Sequence, residues 1–225
     1  MSDKHFFQSW PKIPRLRSPC IITEKIDGTN GQIYIMDPDD PDITESDLDA
    51  ADNLLNKAKA IRVGEYTLMT FSRNRLIWPQ SDNFQFARWA FDNSQALVSL
   101  LGPGRHFGEW WGNGIQRGYG KKEKIFSLFN TRRWKDMLPL FDEEGSVNIT
   151  CVPVLSECEF TIPNLKRAIN MMYERGSFAT PYPYPEGIVI YFKNANQLFK
   201  IIIDGDKNDT IPLFADVDDW RTAPG

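Results

Sequence analysis

The residues best suited to covalent chemistry lie at the end of an apolar segment near the N-terminus. Residues 21 to 26 read Ile-Ile-Thr-Glu-Lys-Ile, so Lys25 stands at the end of a strand-like run. Burying an unpaired charge is energetically unfavourable, so a lysine at this position should have either an ion-pair partner or a chemical role. A lysine amine that loses its proton, with a reference pKa of ~10.4, can attack carbonyl carbon or phosphorus. Partial burial and nearby positive charge favour that loss, so Lys25 is a candidate nucleophile.

The residues that follow Lys25 carry a structural signal. Asp27-Gly28 separates two β-rich runs, and Asp-Gly between alternating apolar residues is a strong short-range hairpin signal. We therefore expect residues 21 to 35 to form a β-hairpin with its turn at Asp27-Gly28.

Five further short strings place charged or aromatic residues in strand-like surroundings. Each alone has an ordinary structural interpretation, since Glu109 suits an edge strand, Glu186 a cap and Phe129 a core position. Their order along the chain is therefore more informative than any one of them. After Lys25-Ile-Asp27-Gly28 come Ser72-Arg73-Asn74, Gly108-Glu109, Phe126-Ser-Leu-Phe129-Asn130, Glu186-Gly187-Ile188-Val189 and Lys200.

This order resembles motifs I, Ia, III, IIIa, IV and V of the covalent nucleotidyltransferases, the superfamily of DNA ligases, RNA ligases and mRNA capping enzymes. The resemblance spans residues 24 to 200. The string from Glu24 to Asn30 is similar to the RNA ligase branch that includes the RNA-editing ligases. DNA ligases and capping enzymes usually have arginine at the position of Asn30. The strings at 108–119 and 185–191 also resemble the RNA ligase family.

The resemblance implies a role for each matched residue. Lys25 would be the nucleophile that takes AMP from ATP and carries it as lysyl–AMP. Phe129 would stack on the adenine, and one such stack is worth ~1–3 kcal/mol. The other implied nucleotide contacts are Glu24 at the adenine, Ile26, Asn30 at the phosphate end, Arg73 at the ribose, Glu109 at the ribose hydroxyls, Glu186 and Lys200.

The same resemblance implies a divalent metal and a group that helps pyrophosphate leave. Asp27 and Glu186 would bind Mg²⁺ or Mn²⁺, ions that suit carboxylates together with a triphosphate. Lys200 would neutralise the α-phosphate and act as the second catalytic residue. Motif V commonly has two lysines separated by one residue, whereas residues 199–204 contain Lys200 alone. Either Lys193 substitutes in space or a single lysine suffices.

Composition limits the class of protein. The chain has 225 residues, of which 41% are hydrophobic, and no apolar run reaches the ~18 residues of a membrane span. Its N-terminus lacks the pattern of a signal peptide. The three cysteines form no Cys-x-x-Cys pair. We therefore expect a reduced, cytoplasmic protein that does not contact a membrane.

The charge of the chain is unevenly distributed. The net charge is −4, but residues 37–52 hold eight acidic residues and residues 204–219 hold six. The rest of the chain has a net charge of +9, which suits a phosphate-rich partner. The acidic loop at 37–42 could bind a cation, but it lacks the glutamate of a calcium loop and is interpreted as a solvated insertion.

The apolar patterns predict a mixed set of elements. We expect strands at 66–71, 105–111, 124–130, 151–155, 186–191 and 198–203, and helices at 45–61, 82–101, 134–140 and 164–175. Strands and helices that do not strictly alternate indicate an α+β fold. The resemblance implies a nucleotidyltransferase (ATP-grasp-like ligase) domain of mixed, mainly antiparallel sheets with flanking helices. We expect residues 1–225 to form this single domain, with no OB-fold or other C-terminal domain.

The leading hypothesis is an ATP-dependent RNA ligase. Lys25 would take AMP from ATP and pass it to a 5′-phosphate end, and a 3′-hydroxyl would then displace AMP to seal the strand. The expected partners are ATP and RNA ends, including those of nicked duplexes, and a partner protein could supply further nucleic-acid surface. A small DNA ligase stays open, as does a noncatalytic nucleic-acid-binding relative. Asn30 disfavours a capping guanylyltransferase.

Overall fold

The computed structural model describes residues 9–136 and 147–203 of the chain. These parts form two β-sheets, mostly antiparallel, with helices placed around them, so the α+β class is confirmed. The strands are β1 Pro19–Lys25, β2 Thr29–Met36, β3 Ile61–Val63, β4 Tyr66–Ser72, β5 Leu76–Ile77, β6 Gly104–Gly112, β7 Lys124–Leu128, β8 Ile149–Cys151, β9 Val154–Glu159, β10 Gly187–Phe192 and β11 Gln197–Ile202. The helices are α1 Glu45–Asn56, α2 Phe86–Asp92, α3 Ser94–Leu101, α4 Thr131–Trp134 and α5 Ile162–Arg175. None of the helices described is long and apolar enough to cross a membrane.

The larger sheet has seven strands in the order β3-β4-β2-β6-β7-β8, with β5 paired to β4. Its pairs are antiparallel except β7 with β8, which run parallel. One face of this sheet buries Ile33, Ile35 and Leu68 against α2 and α3. The opposite face carries Asn30, Glu109 and their neighbours, because side chains alternate along a strand.

The smaller sheet has four antiparallel strands in the order β11-β10-β1-β9. Cys20 and Ile22 of β1 pack with Ile188 and Ile190 of β10 against α5. The apolar positions of α5 recur at helical spacing, so one stripe of that helix covers one face of the sheet. Ile21, Thr23 and Lys25 therefore point to the other face of β1.

The predicted hairpin at 21–35 is wrong. β1 pairs with β10 and β9 of the smaller sheet, whereas β2 pairs with β4 and β6 of the larger one. Asp27-Gly28 is thus a crossing between two sheets. A Cβ on Gly28 would lie 2.5 Å from the carbonyl oxygen of Trp110, so the glycine permits a close approach to β6. The Asp-Gly signal located the turn but could not report which partners each strand takes.

A third apolar cluster joins the two sheets beside this crossing. It consists of buried residues from the crossing, from β6 and β7, and from the turns near them: Ile26, Trp111, Tyr119, Ile125 and Val152. Trp111 and Tyr119 meet edge to face with ring centroids 5.3 Å apart. Ile26 and Val152 lie in the two links that lead from one sheet to the other, and they pack here on Trp111 and Ile125 of the larger sheet. This cluster, called here the joint cluster, therefore holds the turn against β6.

Two predicted helices differ from the structure. The helix expected at 45–61 ends at Asn56, because Ala58 has a φ of 54° and residues 61–63 form β3. The helix expected at 82–101 is two helices, α2 and α3, that meet at Asn93. Phe84 and Gln85 have positive φ values and lie outside both helices.

Two other predictions differ in detail. The strand expected at 151–155 is interrupted between β8 and β9, where Pro153 has no backbone N–H to donate. In place of the helix expected at 134–140, the structure has the short helix α4, which ends at Trp134. Residues 137–140 lie outside the described part of the chain. The remaining predicted strands and the helix at 164–175 are confirmed within a few residues of their ends.

Candidate active site

Lys25 lies at the last position of β1, next to the first residue of β10. Its register partner is Gly187, and this pairing brings Glu186 beside the lysine. The Nζ of Lys25 donates hydrogen bonds to both carboxylate oxygens of Glu186, each at 2.6 Å. The side chains are only 23% and 14% exposed, respectively. The structure therefore brings together the candidate nucleophile and a carboxylate that lies 161 residues further along the chain.

Glu109 lies across the same space, on β6 of the larger sheet. Burial raises its pKa to about 7, with a further increase from the negative charge of Glu186. The positive charges of Lys25 and Arg73 and a hydrogen bond from the backbone of Gly28 act in the opposite direction. Glu109 is therefore close enough to Glu186, Lys25 and Arg73 for their charges to affect it, although the four residues come from four different strands or strand ends.

The register of the larger sheet places other predicted residues beside Glu109. Asn30 is its direct partner on β2, and Arg73 follows the last residue of β4, one position beyond the pair formed by Gly31 and Ser72. Directly paired residues point to the same face of a sheet. Asn30 and Glu109 therefore line one wall of the site, with Arg73 at its edge.

Phe129 follows β7 at the same wall. Its N–H donates to the carbonyl oxygen of Phe107 on β6, and its side chain is 41% exposed. The ring is thus available on the sheet face that carries Glu109. An exposed aromatic ring at such a wall can stack on a base.

Glu24 points to the opposite face of β1 from Lys25 and is only 1% exposed. Its Oε2 accepts hydrogen bonds from the N–H groups of Phe178 and Ala179, at 2.7 and 3.0 Å. Burial raises the pKa of this carboxyl, against the effect of those hydrogen bonds and of one from Ser177. Its Oε1 is buried and has no hydrogen-bond partner among the described residues. One acceptor atom therefore stays available for a donor.

Asp27 is held by residues that sequence reasoning did not select. The Nε of Arg117 donates to its carboxylate at 2.8 Å, and the hydroxyl of Tyr119 accepts from its N–H at 2.9 Å. Arg117 also donates to the carbonyl oxygen of Tyr184 at 3.2 Å. The glycine-rich turn at 112–120 was a visible signal, but nothing in its spacing indicated that its arginine would reach residue 27.

Ile26 and Lys200 occupy different environments. The side chain of Ile26 is 3% exposed within the joint cluster, so only its main chain can contact a nucleotide. Lys200 on β11 is exposed and pairs with Val189, which pairs in turn with Thr23. This register places Lys200 on the same face of the smaller sheet as Lys25.

Lys193 does not replace the missing lysine of motif V. Its N–H donates to the carbonyl oxygen of Pro19, at the end of β1 that is remote from Lys25. Its Nζ donates to Glu157 at 3.2 Å. Six residues of extended strand, at about 3.3 Å each, separate Pro19 from Lys25. Of the two expectations for motif V, substitution by Lys193 is wrong.

The carboxylates fit a hard divalent cation, although no group of three potential ligands is preassembled in the described part of the chain. Mg²⁺ is usually held by one or two carboxylates together with phosphate oxygens and water, so three protein ligands are not required. Glu186 and Glu109 are close enough for one charge to raise the other's pKa. Asp27 would have to give up or share its bond with Arg117 to bind the ion directly.

The acidic loop lies away from these residues. The carboxylates of Asp37 and Asp40 accept backbone N–H groups within the loop itself. A groove of about 540 Å³ lies between this loop, α1 and the outer part of the larger sheet, with Tyr34 and Arg105 among its lining residues. None of the residues that line it belongs to the predicted site.

A profile of the family described as RNA ligase matches residues 18–202 of the chain. The structure is similar to Naegleria gruberi RNA ligase with PPi, at a TM-score of 0.52 and 18% identity, over 83% of this chain and 50% of that one. Variants of the same ligase with ATP and Mn and with AMP and Mn give TM-scores of 0.52 and 0.51, at 16% and 17% identity and the same coverage. No curated protein sequence matches the chain. The chain spans about half the length of these solved proteins, and at this identity the likeness shows a shared fold.

Proposed function

Because the chain belongs to the RNA ligase family, we propose that it is an ATP-dependent RNA ligase that acts through AMP bound covalently to Lys25. The observation that carries this proposal is the convergence of Lys25, Glu186 and Glu109 where the two sheets meet. A lysine held beside two carboxylates, with aromatic and basic side chains on the facing wall, suits adenylyl transfer. Phosphoryl-type chemistry of this kind depends mainly on positioning and charge stabilisation.

The nucleotide would lie between the two sheets, with its adenine near the end of β1. Phe129 supplies an exposed ring for stacking, and Glu24, the residue before Lys25, would help to seat the adenine. Ile26 would contribute through its main chain. Glu109 would accept hydrogen bonds from the ribose hydroxyls, because its carboxyl is close enough to Lys25 and Arg73 to be affected by both charges.

The phosphate end would lie towards Asn30 and Lys200, and Arg73 would contact the ribose. Glu186, with Asp27 directly or through water, would hold Mg²⁺ or Mn²⁺, which neutralises phosphate charge when bound. Lys200 is exposed on the Lys25 face and is suited to the α-phosphate. Lys25 must leave Glu186 before its amine can attack, since Nζ is engaged with both carboxylate oxygens.

The reaction proposed has three steps. The Lys25 amine forms a bond to the α-phosphorus of ATP and pyrophosphate leaves. AMP then passes to a 5′-phosphate end of RNA, and a 3′-hydroxyl attacks that phosphate and releases AMP. The basic character of the chain outside its two acidic segments supports an RNA partner, including the ends of a nicked duplex. A partner protein would extend this surface, and the free cysteines support a reducing, cytoplasmic setting for RNA repair.

The test is the intact mass of the protein after incubation with ATP and Mg²⁺. The wild type should gain one AMP, and the Lys25→Ala variant should gain none. Lys193→Ala is a matched control, because Lys193 is exposed at the remote end of β1 and should leave the adduct unchanged. A wild-type protein that starts nucleotide-free and gains no mass, with Mn²⁺ as well as Mg²⁺, would contradict the proposal.

The strand preference needs a separate experiment. Sealing of a nicked duplex with RNA at the nick should be faster than sealing of the same nick in DNA at equal protein concentration. Faster sealing of the DNA nick would instead identify a small DNA ligase. Binding of nucleic-acid ends without any AMP adduct would identify a noncatalytic relative.

A further inference from the structure

A chain of aromatic side chains leads from the joint cluster to the surface beside the site. Trp111 meets Tyr119 at 5.3 Å between ring centroids, Tyr119 meets Tyr182 at 4.9 Å, and Tyr182 meets Tyr184 at 6.0 Å. The first two residues are 1% exposed, whereas Tyr184 is 67% exposed. The series therefore ends in a ring that is supported from one side and open to solvent.

Two links connect the backbone of Tyr184 to the proposed reacting groups. Its carbonyl oxygen accepts a hydrogen bond from Arg117 at 3.2 Å, and Arg117 also holds Asp27 at 2.8 Å. Two residues after Tyr184 comes Glu186, whose carboxylate contacts Lys25. The backbone on both sides of Tyr184 is thus tied to the motif around the nucleophile.

One basic side chain contacts the backbone of Tyr184, since Arg117 donates to its carbonyl oxygen. Lys121 and Lys122 follow Arg117 four and five residues later in the sequence, and Lys122 is exposed. An aromatic ring next to basic side chains is the combination that single-stranded nucleic acids bind, because bases stack on the ring and phosphates meet the positive charges. A ring already held by its neighbours loses little conformational freedom on binding.

We propose that Tyr184 is the stacking platform for a nucleobase of the RNA strand end that enters the site. This inference rests on the proposed function, because it assigns a contact of the RNA substrate rather than of ATP. The ring of Tyr184 would fix the strand end beside Lys25, while Lys121 and Lys122 would contact its phosphates.

The experiment compares Tyr184→Ala and Tyr184→Phe with the wild type. The probe is a short, fluorescently labelled, 5′-phosphorylated RNA oligonucleotide, and its affinity is measured by anisotropy without ATP. Tyr184→Ala should weaken binding about 5- to 150-fold, the equivalent of one lost base stack. Tyr184→Phe should stay within about twofold of the wild type, since the phenyl ring preserves stacking.

Tyr173→Ala is the matched control. Tyr173 is 66% exposed, but it lies on α5, on the side of the smaller sheet that faces away from Lys25. Its removal should leave RNA affinity unchanged. Equal RNA affinity for Tyr184→Ala and the wild type, or an equal loss for Tyr184→Phe and Tyr184→Ala, would overturn the inference.

The AMP adduct provides a second readout that separates the two proposals. Tyr184→Ala should gain AMP from ATP and Mg²⁺ at the wild-type rate in the absence of RNA. A loss of adduct in this variant alone would also overturn the inference, because Tyr184 would then belong to the nucleotide site. Absence of the adduct from the wild type would instead overturn the proposed function, and the anisotropy measurement would still decide the role of Tyr184.

Discussion

The environment of the Glu109 carboxyl shifts its pKa and thereby links the site to the stability of the protein. Burial is the largest cause that raises its pKa, from 4.5 to about 7. The folded protein therefore binds more protons here than the unfolded chain between these two pH values. The free energy of unfolding should consequently fall, through this group, as the pH rises across that window. Glu109 is thus held in place at some cost to stability, as residues of binding sites frequently are.

This pKa predicts a pH dependence of nucleotide affinity. Glu109 is protonated below about pH 7 and ionised above it, and an ionised carboxylate accepts hydrogen bonds more strongly. The affinity for a non-transferable ATP analogue, α,β-methylene ATP, should therefore rise severalfold between about pH 6 and 8. This affinity is measured by calorimetric titration of the protein with the analogue, in the presence of Mg²⁺, at several pH values.

Glu109→Gln is the control for this prediction. The amide has a similar shape and does not titrate, so its affinity for the analogue should stay nearly constant at a lower level over the same pH range. Parallel pH profiles for the two proteins would show that another group causes the dependence.

At the scale of elements, the crossing from β1 to β2 determines the geometry of the site. Because these strands belong to different sheets, Lys25 at the end of one and Asn30 at the start of the other face the same space. Gly28 lies within this crossing and contacts β6 closely. The turn therefore serves to place two walls against each other, which a hairpin turn would not do.

Gly28→Ala should disturb this crossing. The new Cβ would lie 2.5 Å from the carbonyl oxygen of Trp110 and 3.0 Å from the Cγ of Glu109, so β6 or the turn must move. We expect a loss of about 1–3 kcal/mol in the free energy of unfolding, as for other overpacked sites, and at least a tenfold slower AMP attachment. Denaturant unfolding and time-resolved intact mass measure the two effects.

Gly114→Ala separates steric overlap from backbone conformation. Gly114 has a φ of +72°, and a Cβ there would meet nothing within 4 Å. It should cost only the strain of a left-handed alanine, about 1 kcal/mol, and leave AMP attachment intact. An equally slow AMP attachment in both variants would contradict the role given to the crossing.

At the scale of the whole molecule, two sheets with separate cores meet at the joint cluster. The larger sheet has its core around Ile33, Ile35 and Leu68, and the smaller one packs against α5. The proposed catalytic groups come from both sheets, so the site exists only where the sheets are held together. The joint cluster should therefore affect activity more than an equally buried position in either core.

Ile26→Ala and Ile33→Ala test this expectation as a pair. Their side chains are 3% and 0% exposed, so each truncation should lower the free energy of unfolding by about 2–5 kcal/mol. At a temperature where both variants are folded, Ile26→Ala should attach AMP much more slowly than Ile33→Ala. Equal rates at equal folded fractions would show that the joint cluster has no special role.

The sequence by itself determined which residues are candidates for the chemistry and the order in which they occur. Local patterns sufficed for this, because a lysine before Asp-Gly, a Gly-Glu in a strand and a Glu after Pro185 are visible within a few residues. The α+β class and most element positions also followed from local periodicity. The exceptions were elements such as α2 and α3, which meet at Asn93 where the periodicity indicated a single helix.

Only the tertiary structure decided which of these residues meet. The contact of Lys25 with Glu186 spans 161 residues, that of Arg117 with Asp27 spans 90, and that of Glu24 with Phe178 spans 154. Such pairs depend on strand partners and register, which the alternation of side chains within one strand does not specify. The same reason explains the mistaken hairpin. A turn signal reports that the chain bends, whereas the partners of β1 and β2 lie far away in the sequence, and the burial of Ile26 and the close approach of Gly28 to β6 exist only once those partners are in place.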